Sequence, residues 1–536
     1  MTLTHRPAAI LTALSLGLLA LYLAVPTKAY YWDGVVFAQA IEDVASGSAR
    51  AISLAHPNHL VYNFVGYFFY RLLHGFGPGA DLRAITALQI LNSIFSAGSA
   101  AILFLILRDT LRSTYLAVCL TLLFALSATW WKFSTDANAY IPSVFFLLLS
   151  FYLVLPGRKP RPLSCALCFF AAMCFHELAV IAVPVFALGI YLRDGALARQ
   201  RRLRNAVTFA AVSVVLIVGA YALAFYFAMG SLDPVKLLHW TASYSPDADT
   251  HFAFWANLGY SLRGQVRLFF GGRLNLLRGL MNPFIVLLVA LFAIAVLWLL
   301  EGMLANLVAL TRRRLRKVRQ LPEQKDEHLS GQRKVVSQQQ VAILTPHQKT
   351  VLLLAIVWAV VYLVFLFFWL PQNTFYRLFY LPAIPLLVGL ALSAIPTTTS
   401  HRTFVTAAFV VAVGLANFLF LIYPYSHVEK YPPLEFALQL NREWPAGTII
   451  YYGSQNSDEA LVRYFTRGTE WKLLSAQLPG DTGVWPETNT WLETSAIDRL
   501  SSTPEGSRWL QTHTRPESVR ELNNAAFRIR FIQIGP

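Results

Sequence analysis

The sequence predicts a mainly α-helical, polytopic membrane protein with about 11 transmembrane helices and a small C-terminal α/β domain. Three observations lead to this fold class. Hydrophobic residues make up 56% of the chain and charged residues only 13%, whereas a soluble protein carries roughly 25% charged residues. Apolar runs of about 20 residues, the length that crosses a bilayer, recur as far as Tyr423. Beyond Tyr423 the composition becomes that of a soluble domain.

One apolar run, 163–192, is too long for a single span and carries His176 and Glu177 at its middle. A charged group at the centre of a bilayer is costly. We therefore predict two short helices that meet at a turn near these two residues, at the membrane edge. With this hairpin the count reaches eleven spans. The other nine predicted spans are 8–25, 83–107, 113–131, 138–155, 205–229, 281–300, 350–370, 377–395 and 403–423.

Dense Lys/Arg clusters set the predicted orientation. They lie at 157–162, 193–204 and 311–320, and the positive-inside rule makes all three cytoplasmic. Because the first two clusters flank the run 163–192, that run must enter the membrane and return. With eleven spans, the N-terminus is predicted to be cytoplasmic and the C-terminus extracytoplasmic.

The segment 58–74 is apolar but is interrupted by polar residues. Counting it as a span would put the basic clusters outside, so we predict an amphipathic helix on the outer membrane surface. The first external loop is then long, 26–82. A second external loop covers about 230–280, and 371–376 forms a short third one.

The net charge of +16 indicates contact with anionic lipid rather than with nucleic acid, because the charge collects in predicted cytoplasmic loops. The loop 311–349 is rich in Gln, Lys and Arg and shows no catalytic pattern. We interpret it as a solvated linker held near the membrane.

The predicted domains are a transmembrane domain, 1–423, and an extracytoplasmic α/β domain, 424–536. In the second domain, 447–454 and 527–535 have the patterns of strands and 457–468 has that of a capped helix. No nucleotide-binding loop or catalytic motif stands out in it.

Unusual polar and aromatic residues collect on the predicted external side, and Asp33 is the strongest candidate among them. It lies between aromatic and aliphatic neighbours just after the first span, where a carboxylate is a functional candidate. His56 and His59 have the spacing of a metal-ligand pair, but further ligands are not evident. We therefore predict no metal or cofactor and leave a divalent ion open. The candidate residues are Asp33, His56, His59, Lys132, Asp136, Asn138, Tyr140, His176, Glu177, Arg263, Arg267, Tyr376 and Arg377.

This set of residue types favours a lipid that carries a phosphate and a sugar. Arg263 and Arg267 share a helical face and could jointly hold a phosphate, with Lys132 as a further cation. A carboxylate such as Asp33 can deprotonate an acceptor hydroxyl or stabilise an oxocarbenium-like transition state. Aromatic rings, including that of Tyr140, pack against the apolar faces of sugars.

Five short sequence motifs, in their order along the chain, resemble those of the C-type, polyprenyl-phosphate-sugar-dependent glycosyltransferases. The resemblance points to the protein O-mannosyltransferase and aminoarabinose-transferase group, in particular to a bacterial branch of it, and covers roughly 8–423. The motifs are WDG (32–34), HPNHLVYN (56–63), WWKFSTDANAY (130–140), CFHELAVIAVP (174–184) and YRLFYLPAIPLLVG (376–389).

The resemblance implies an inverting, metal-independent transferase of the bacterial cytoplasmic membrane. Its donor would be a polyprenyl-phosphate-linked sugar and its acceptor an extracytoplasmic hydroxyl. It also implies that Asp33 is the catalytic carboxylate and that Arg377 contacts the donor phosphate. The group usually has a glutamate shortly after the aspartate, where this chain has Val35 and Val36.

A second departure concerns Asn138, which stands where the group has a glutamate. The second carboxylate is therefore left open between Asp136 and Glu177. Two other functions stay open at this point. A transporter or flippase of lipid-linked sugars would need ionisable residues near the bilayer midplane, and a non-catalytic envelope scaffold would bind a partner through its external domain.

Overall fold

The structure, a computed structural model, is mainly helical, with one five-stranded sheet near the C-terminal end. The predicted class is confirmed in this respect. Residues 311–343 of the predicted loop 311–349 lie outside the described residues. The residues that the structure describes are 6–75, 82–156, 161–193, 198–242, 253–294, 344–394, 399–453, 457–466, 468–474, 489–523 and 528–535.

The helices before the sheet form a bundle, and α16 continues into a π-helical turn, Phe418–Ile422. Short 3₁₀ turns connect several of them, including Pro57–His59, Glu177–Ala182 and Phe375–Phe379. The helices are α1 (Arg6–Ala24), α2 (Trp32–Ala45), α3 (Tyr62–Gly75), α4 (Ala84–Leu111), α5 (Thr114–Ala125), α6 (Ala128–Ser134), α7 (Tyr140–Val154), α8 (Pro162–Phe175), α9 (Val183–Arg193), α10 (Arg199–Met229), α11 (Pro234–Ala242), α12 (Phe254–Phe269), α13 (Pro283–Ile294), α14 (Pro346–Trp369), α15 (Ala383–Ala394) and α16 (Thr399–Asn417).

Length and composition allow four helical stretches of the described chain to cross a membrane. A fifth would be the pair α5 and α6, which is bent by 70°. Several other apolar helices are shorter than a span, so the predicted count of eleven stays a prediction. The four long stretches are Ala84–Leu111, Arg199–Met229, Pro346–Trp369 and Thr403–Tyr425.

Helix α4 is the centre of the bundle and contacts α1, α2, α3, α5 and α7. Small residues on its surface let its neighbours approach closely. Gly98 lies against the ring of Phe145 on α7. The buried Ser93 hydroxyl donates to the Ser134 carbonyl at 3.1 Å, which joins α4 to the end of α6.

The predicted hairpin at 163–192 is confirmed as a pair of short helices, α8 and α9. The chain turns at His176, whose imidazole accepts a hydrogen bond from the Leu178 amide at 3.1 Å and so caps the following 3₁₀ turn. The predicted helix at 58–74 is also present as α3, which begins only at Tyr62. It starts late because Pro57–His59 forms a separate 3₁₀ turn, capped by the imidazole of His56.

The sheet has the order β2-β1-β3-β5-β4. Strand β1 lies between β2 and β3 and is parallel to both, and β5 is antiparallel to β3 and β4. The elements that were predicted here, two strands and one helix, are present as β1, β5 and α18. The elements of this region are α17 (Pro432–Glu443), β1 (Thr448–Tyr452), α18 (Ser457–Phe465), β2 (Thr469–Leu473), β3 (Thr490–Glu493), α19 (Thr494–Ser501), α20 (Pro504–His513), β4 (Thr514–Asn523) and β5 (Arg528–Ile534).

Arg83 joins the sheet region to the helical bundle. Its guanidinium donates two hydrogen bonds to the Glu42 carboxylate of α2, at 2.8 and 2.9 Å, and one to the Tyr464 carbonyl of α18 at 2.9 Å. The Tyr464 hydroxyl donates to Glu42 at 2.9 Å, and its ring packs under the guanidinium at 4.1 Å. The Ala84 amide, at the start of α4, also donates to Glu42 at 2.8 Å. Three elements therefore meet at one ion pair.

We expect Arg83→Ala to lower the thermal unfolding midpoint in detergent. The change leaves the half-buried Glu42 carboxylate without its charged partner, which costs about 1–3 kcal/mol. Arg528→Ala is the control, because it removes an ion pair with Glu521 in which the arginine side chain is 75% exposed and such pairs contribute little. Equal midpoints for the two variants would contradict the role given to Arg83.

Candidate active site

Asp33 lies in the first turn of α2, and the turn between α6 and α7 sets its position. The Tyr31 amide, just before the helix, donates to the Asp136 carboxylate at 2.9 Å. At Gly34 the backbone of α2 lies directly against Ala137, so that a Cβ atom there would overlap the Ala137 carbonyl. One hydrogen bond and one close contact therefore fix the start of α2.

Asp136 is fully buried and its carboxylate is occupied by protein groups. It forms an ion pair with Lys132 and accepts hydrogen bonds from the Tyr31 amide and, at 2.9 Å, from the Ala137 amide. A buried carboxylate with this many partners is held in one position. Of the two candidates for a second carboxylate, Asp136 thus has a clear structural function.

The side chain of Asn138 stabilises the same turn, between α6 and α7, through hydrogen bonds to its backbone. Its side-chain amide donates to the Phe133 carbonyl at 2.7 Å, and its side-chain oxygen accepts from the Ile141 amide at 3.2 Å. From α4, the amide of Asn92 donates to the carbonyls of Asp136 and Asn138 at 2.7 and 2.8 Å. The turn that positions α2 is therefore rigid.

The Asp33 carboxylate lies beside a group of tyrosines. The hydroxyls of Tyr31 and Tyr140 are 2.9 Å apart, and the ring of Tyr376 meets that of Tyr140 edge-on at 5.8 Å. Burial raises the pKa of the Asp33 carboxyl above its ordinary value, and the Tyr31 hydroxyl partly opposes this shift by hydrogen bonding to the charged form. A carboxylate with a raised pKa is a better proton acceptor than an exposed one.

Three imidazoles lie on the far side of Tyr140. The His56 and His59 rings stack at 5.2 Å, and His59 meets His176 at 4.7 Å. Burial lowers the pKa of His56 to about 4 and that of His59 to about 3, so both are neutral at pH 7. Among the residues that the structure describes, no three His, Cys, Asp or Glu side chains are arranged to hold a metal ion.

A cavity of about 510 Å³, called here the cation cavity, lies beside the tyrosines. Arg267 and Arg273 have no carboxylate partner among the described residues, and Lys132 shares its charge with Asp136. The cavity therefore has an excess of positive charge that suits a phosphate group. Its polar lining is formed by Thr129, Lys132, Arg267, Arg273, Thr374 and Tyr425.

A pair of glycines brings Arg273 to this cavity. Gly272 has a left-handed backbone, with φ of 84°, a conformation that glycine adopts without strain. It also lies against the Phe420 carbonyl, to which the Arg273 amide donates at 2.9 Å. Asn417 fixes the preceding residues, accepting from the Gly271 amide at 3.1 Å. The turn after α12 is thus held on the backbone of the π-helical segment.

One layer of aromatic rings separates the cation cavity from the tyrosines around Asp33. Phe133 and Phe375 line the cavity. Their rings lie 5.4 and 5.1 Å from that of Tyr31, and Phe375 also stacks on Tyr140 at 5.3 Å. A phosphate in the cavity would therefore lie one ring away from the tyrosines beside Asp33.

The other two predicted phosphate ligands do not line the cation cavity. Arg377 is 1% exposed and donates to the Tyr380 hydroxyl at 3.1 Å and to the Pro371 carbonyl at 2.7 Å. Gly264 of α12 lies directly against its guanidinium. Arg263 is exposed one turn before Arg267. The donor set predicted from the sequence did not include Arg273, although the preceding Gly-Gly pair was a signal for a turn.

Two further cavities flank the histidines. An apolar groove of about 770 Å³ lies between α3, α8 and α10 and suits a hydrocarbon chain. A second cavity, of about 390 Å³ and called here the Glu177 cavity, lies at the tip of the hairpin. Burial raises the pKa of the Glu177 carboxyl, in the turn between α8 and α9, to about 7. Besides Glu177, the lining of this cavity includes Met173, Ile217, Tyr221, Thr241, Phe365 and Trp369.

The fold has matches among solved structures, whereas no family model and no curated protein matches the chain. ArnT from Cupriavidus metallidurans in the apo state gives a TM-score of 0.58 at 13% identity and covers 100% of both chains. The structure of the same ArnT bound to undecaprenyl phosphate gives 0.57 at 13% identity, with 99% of each chain covered. The apo oligosaccharyltransferase of Archaeoglobus fulgidus gives 0.44 at 14% identity, over 87% of this chain and 64% of that one.

The two ArnT matches include the C-terminal part of the chain, which the resemblance over 8–423 does not cover. At 13% identity the likeness is one of fold. The chain therefore has an ArnT-like fold, as the resemblance predicts for 8–423, and this fold extends through the sheet at the C-terminal end.

Proposed function

We propose that the chain is a membrane glycosyltransferase, which moves a sugar from a polyprenyl-phosphate donor to an acceptor hydroxyl. The observation that carries this proposal is the position of Asp33, one ring layer away from a cavity lined by three cations. An ArnT structure of the same fold is bound to undecaprenyl phosphate, which supports a donor of this chemical class.

In this proposal the cation cavity binds the donor phosphate. Lys132, Arg267 and Arg273 hydrogen-bond to its oxygens and stabilise the negative charge that develops as the phosphate leaves. Arg377, which the resemblance assigns to the phosphate, is buried against protein groups. Its position favours a supporting role, in which it holds Gly264 of α12.

Asp33 acts as the base. The acceptor oxygen attacks the anomeric carbon, the bond from that carbon to the phosphate oxygen breaks, and the acceptor proton passes to Asp33. The phosphate departs as polyprenyl phosphate. A base on one side of the sugar and a leaving group on the other is the arrangement of an inverting displacement.

The basic clusters support an extracytoplasmic site. If the hairpin ends at 157–162 and 193–204 are cytoplasmic, then its tip at His176 and Glu177 lies on the outer side. Asp33 shares that side, because Tyr140 contacts both His176 and Tyr31. We propose a bacterial cytoplasmic membrane location, a cytoplasmic N-terminus and an extracytoplasmic C-terminus.

A transporter or flippase of lipid-linked sugars is the second candidate. Such a protein places ionisable residues along a path through the membrane. The charged and titratable groups described above instead gather in one region, around Asp33, the histidines and the cation cavity. This clustering favours transfer over transport.

Asp33→Asn keeps the size of the side chain and removes the base, so we expect transfer to fall by at least about 100-fold. The measurement is transfer of labelled sugar from synthetic polyprenyl-phosphate hexoses and pentoses by the purified protein. Asp43→Asn, on the same helix, is the control and should retain activity. Normal turnover by the Asp33 variant, or lipid movement in proteoliposomes without glycosylation, would overturn the assignment.

We expect Arg267→Ala and Arg273→Ala each to weaken binding of undecaprenyl phosphate by about tenfold, since each loses a hydrogen bond to a charged group. Binding can be measured with the full chain in nanodiscs. Arg263→Ala is the matched control, because Arg263 lies on the same helix outside the cavity. If the Arg263 variant alone lost affinity, the phosphate would not be bound in the cation cavity.

Transfer should be unchanged after dialysis against EDTA. Lys132, Arg267 and Arg273 supply the positive charge that a divalent ion would otherwise bring to the phosphate. The assay compares the dialysed protein with samples to which Mg²⁺ or Zn²⁺ has been returned. Activity that disappears on dialysis and returns with either ion would show that the reaction depends on a metal.

A further inference from the structure

The Glu177 cavity has polar groups without partners in an otherwise apolar wall. Tyr221, on α10, is 9% exposed, and its hydroxyl has no hydrogen-bond partner among the described residues. The Glu177 carboxylate likewise forms no hydrogen bond or ion pair within the part of the chain that the structure describes. Buried polar groups normally have partners, so the buried Tyr221 hydroxyl, beside the half-buried Glu177 carboxylate at the wall of the same cavity, indicates a ligand.

The cavity is connected to Asp33 through a row of rings. Trp369 lines the cavity, and its ring stacks on that of Tyr376 at 5.4 Å with an interplanar angle of 14°. Tyr376 in turn meets Tyr140, whose hydroxyl lies 2.9 Å from that of Tyr31. The carboxylates of Asp33 and Glu177 both contribute to raising the pKa of the Tyr376 hydroxyl to about 12, after burial as the main cause. Tyr376 is therefore near both carboxylates.

We propose that the Glu177 cavity is the acceptor site, where Glu177 and Tyr221 hydrogen-bond to the hydroxyl-bearing head of an amphiphile. This inference rests on the proposed function and adds the acceptor to it. One hydroxyl of the head reaches past Tyr376 to Asp33 and is glycosylated. The neighbouring hydroxyls donate to Glu177 and accept from Tyr221, which holds the head in position.

The two cavities differ in the charged residues that line them, and this difference directs each substrate to its own cavity. The cation cavity attracts the anionic donor, whereas the lining of the Glu177 cavity contains no Lys or Arg and offers the carboxyl group of Glu177 to neutral hydroxyls. The remaining lining, formed by residues such as Met173, Ile217 and Phe365, suits the apolar body of a lipid. A neutral polyol head on a hydrocarbon chain matches both parts of the cavity.

A photoreactive alkyl glucoside with a diazirine on its chain tests the binding site directly, using the full chain in nanodiscs. Mass spectrometry of the cross-linked peptides should locate the probe on residues 173–181 and 217–221. We expect labelling at these sites to fall by about tenfold for Glu177→Gln and about fivefold for Tyr221→Phe. Glu470→Gln, an exposed carboxylate of the sheet region, is the control and should label normally.

Kinetics separate this inference from the proposed function. With an alkyl glucoside as acceptor, Glu177→Gln should raise the acceptor KM by about tenfold and leave kcat within about twofold, while undecaprenyl phosphate binding stays unchanged. Asp33→Asn should instead lower kcat. Transfer that proceeds with an unaltered KM in the Glu177 and Tyr221 variants, or labelling elsewhere in the protein, would overturn the acceptor site alone. Labelling as expected without transfer from any donor would overturn the proposed function.

A short peptide that contains serine and threonine represents the competing class of acceptor, a protein. It should neither displace the photoreactive glucoside nor accept sugar, because the apolar walls of the cavity offer few partners for a peptide backbone. Efficient displacement by the peptide, with loss of that displacement in Glu177→Gln, would show that the site takes a protein and would overturn the amphiphile.

Discussion

One ion pair, between Lys132 and the buried Asp136, determines where helix α2 begins and which residues lie against its first turn. Asp136 accepts the Tyr31 amide, and the next residue, Ala137, lies against Gly34 of α2. Breaking a buried pair leaves an uncompensated charge and is strongly destabilising. Lys132 also lines the cation cavity. The same interaction therefore sets the position of Asp33 and one wall of the cavity, so the spacing between the proposed base and the phosphate depends on it.

The C-terminal sheet region contacts helix α2 near its end and the segment just before its start. Glu42, near the end of α2, is bound by Arg83 and by the Tyr464 hydroxyl of α18. Just before α2, the ring of Tyr30 stacks on Phe465 at 4.9 Å, and the Tyr431 hydroxyl donates to the Tyr30 carbonyl at 3.2 Å. A region without a catalytic motif thus fixes both ends of the helix that bears Asp33. Electrostatic catalysis requires such preorganisation, since a mobile base would lose part of its effect.

Hydrophobic runs and basic clusters were enough to predict the helical class and the hairpin at His176, because these depend on composition along the chain. The function of Asp136 depends on burial against distant backbone amides, which spacing does not reveal. Arg273 reaches the cation cavity only through the left-handed turn at Gly272 and its contact with the π-helical segment. Tyr221 lies inside an apolar run, where the sequence gives no sign that its hydroxyl faces a cavity.

Arg377, which belongs to one of the motifs of the resemblance, is buried and bonded to protein groups. Its guanidinium bonds to Pro371 and Tyr380 and lies under Gly264 of α12, the helix that carries Arg267. The loop on which Arg377 itself lies also bears Tyr376, whose ring contacts those of Tyr140 and Trp369. Because one buried guanidinium connects these parts, it holds the cation cavity and the wall of the Glu177 cavity in a fixed relation. A lysine here would keep the charge but could not make the same set of contacts, since only a planar guanidinium fits this slot.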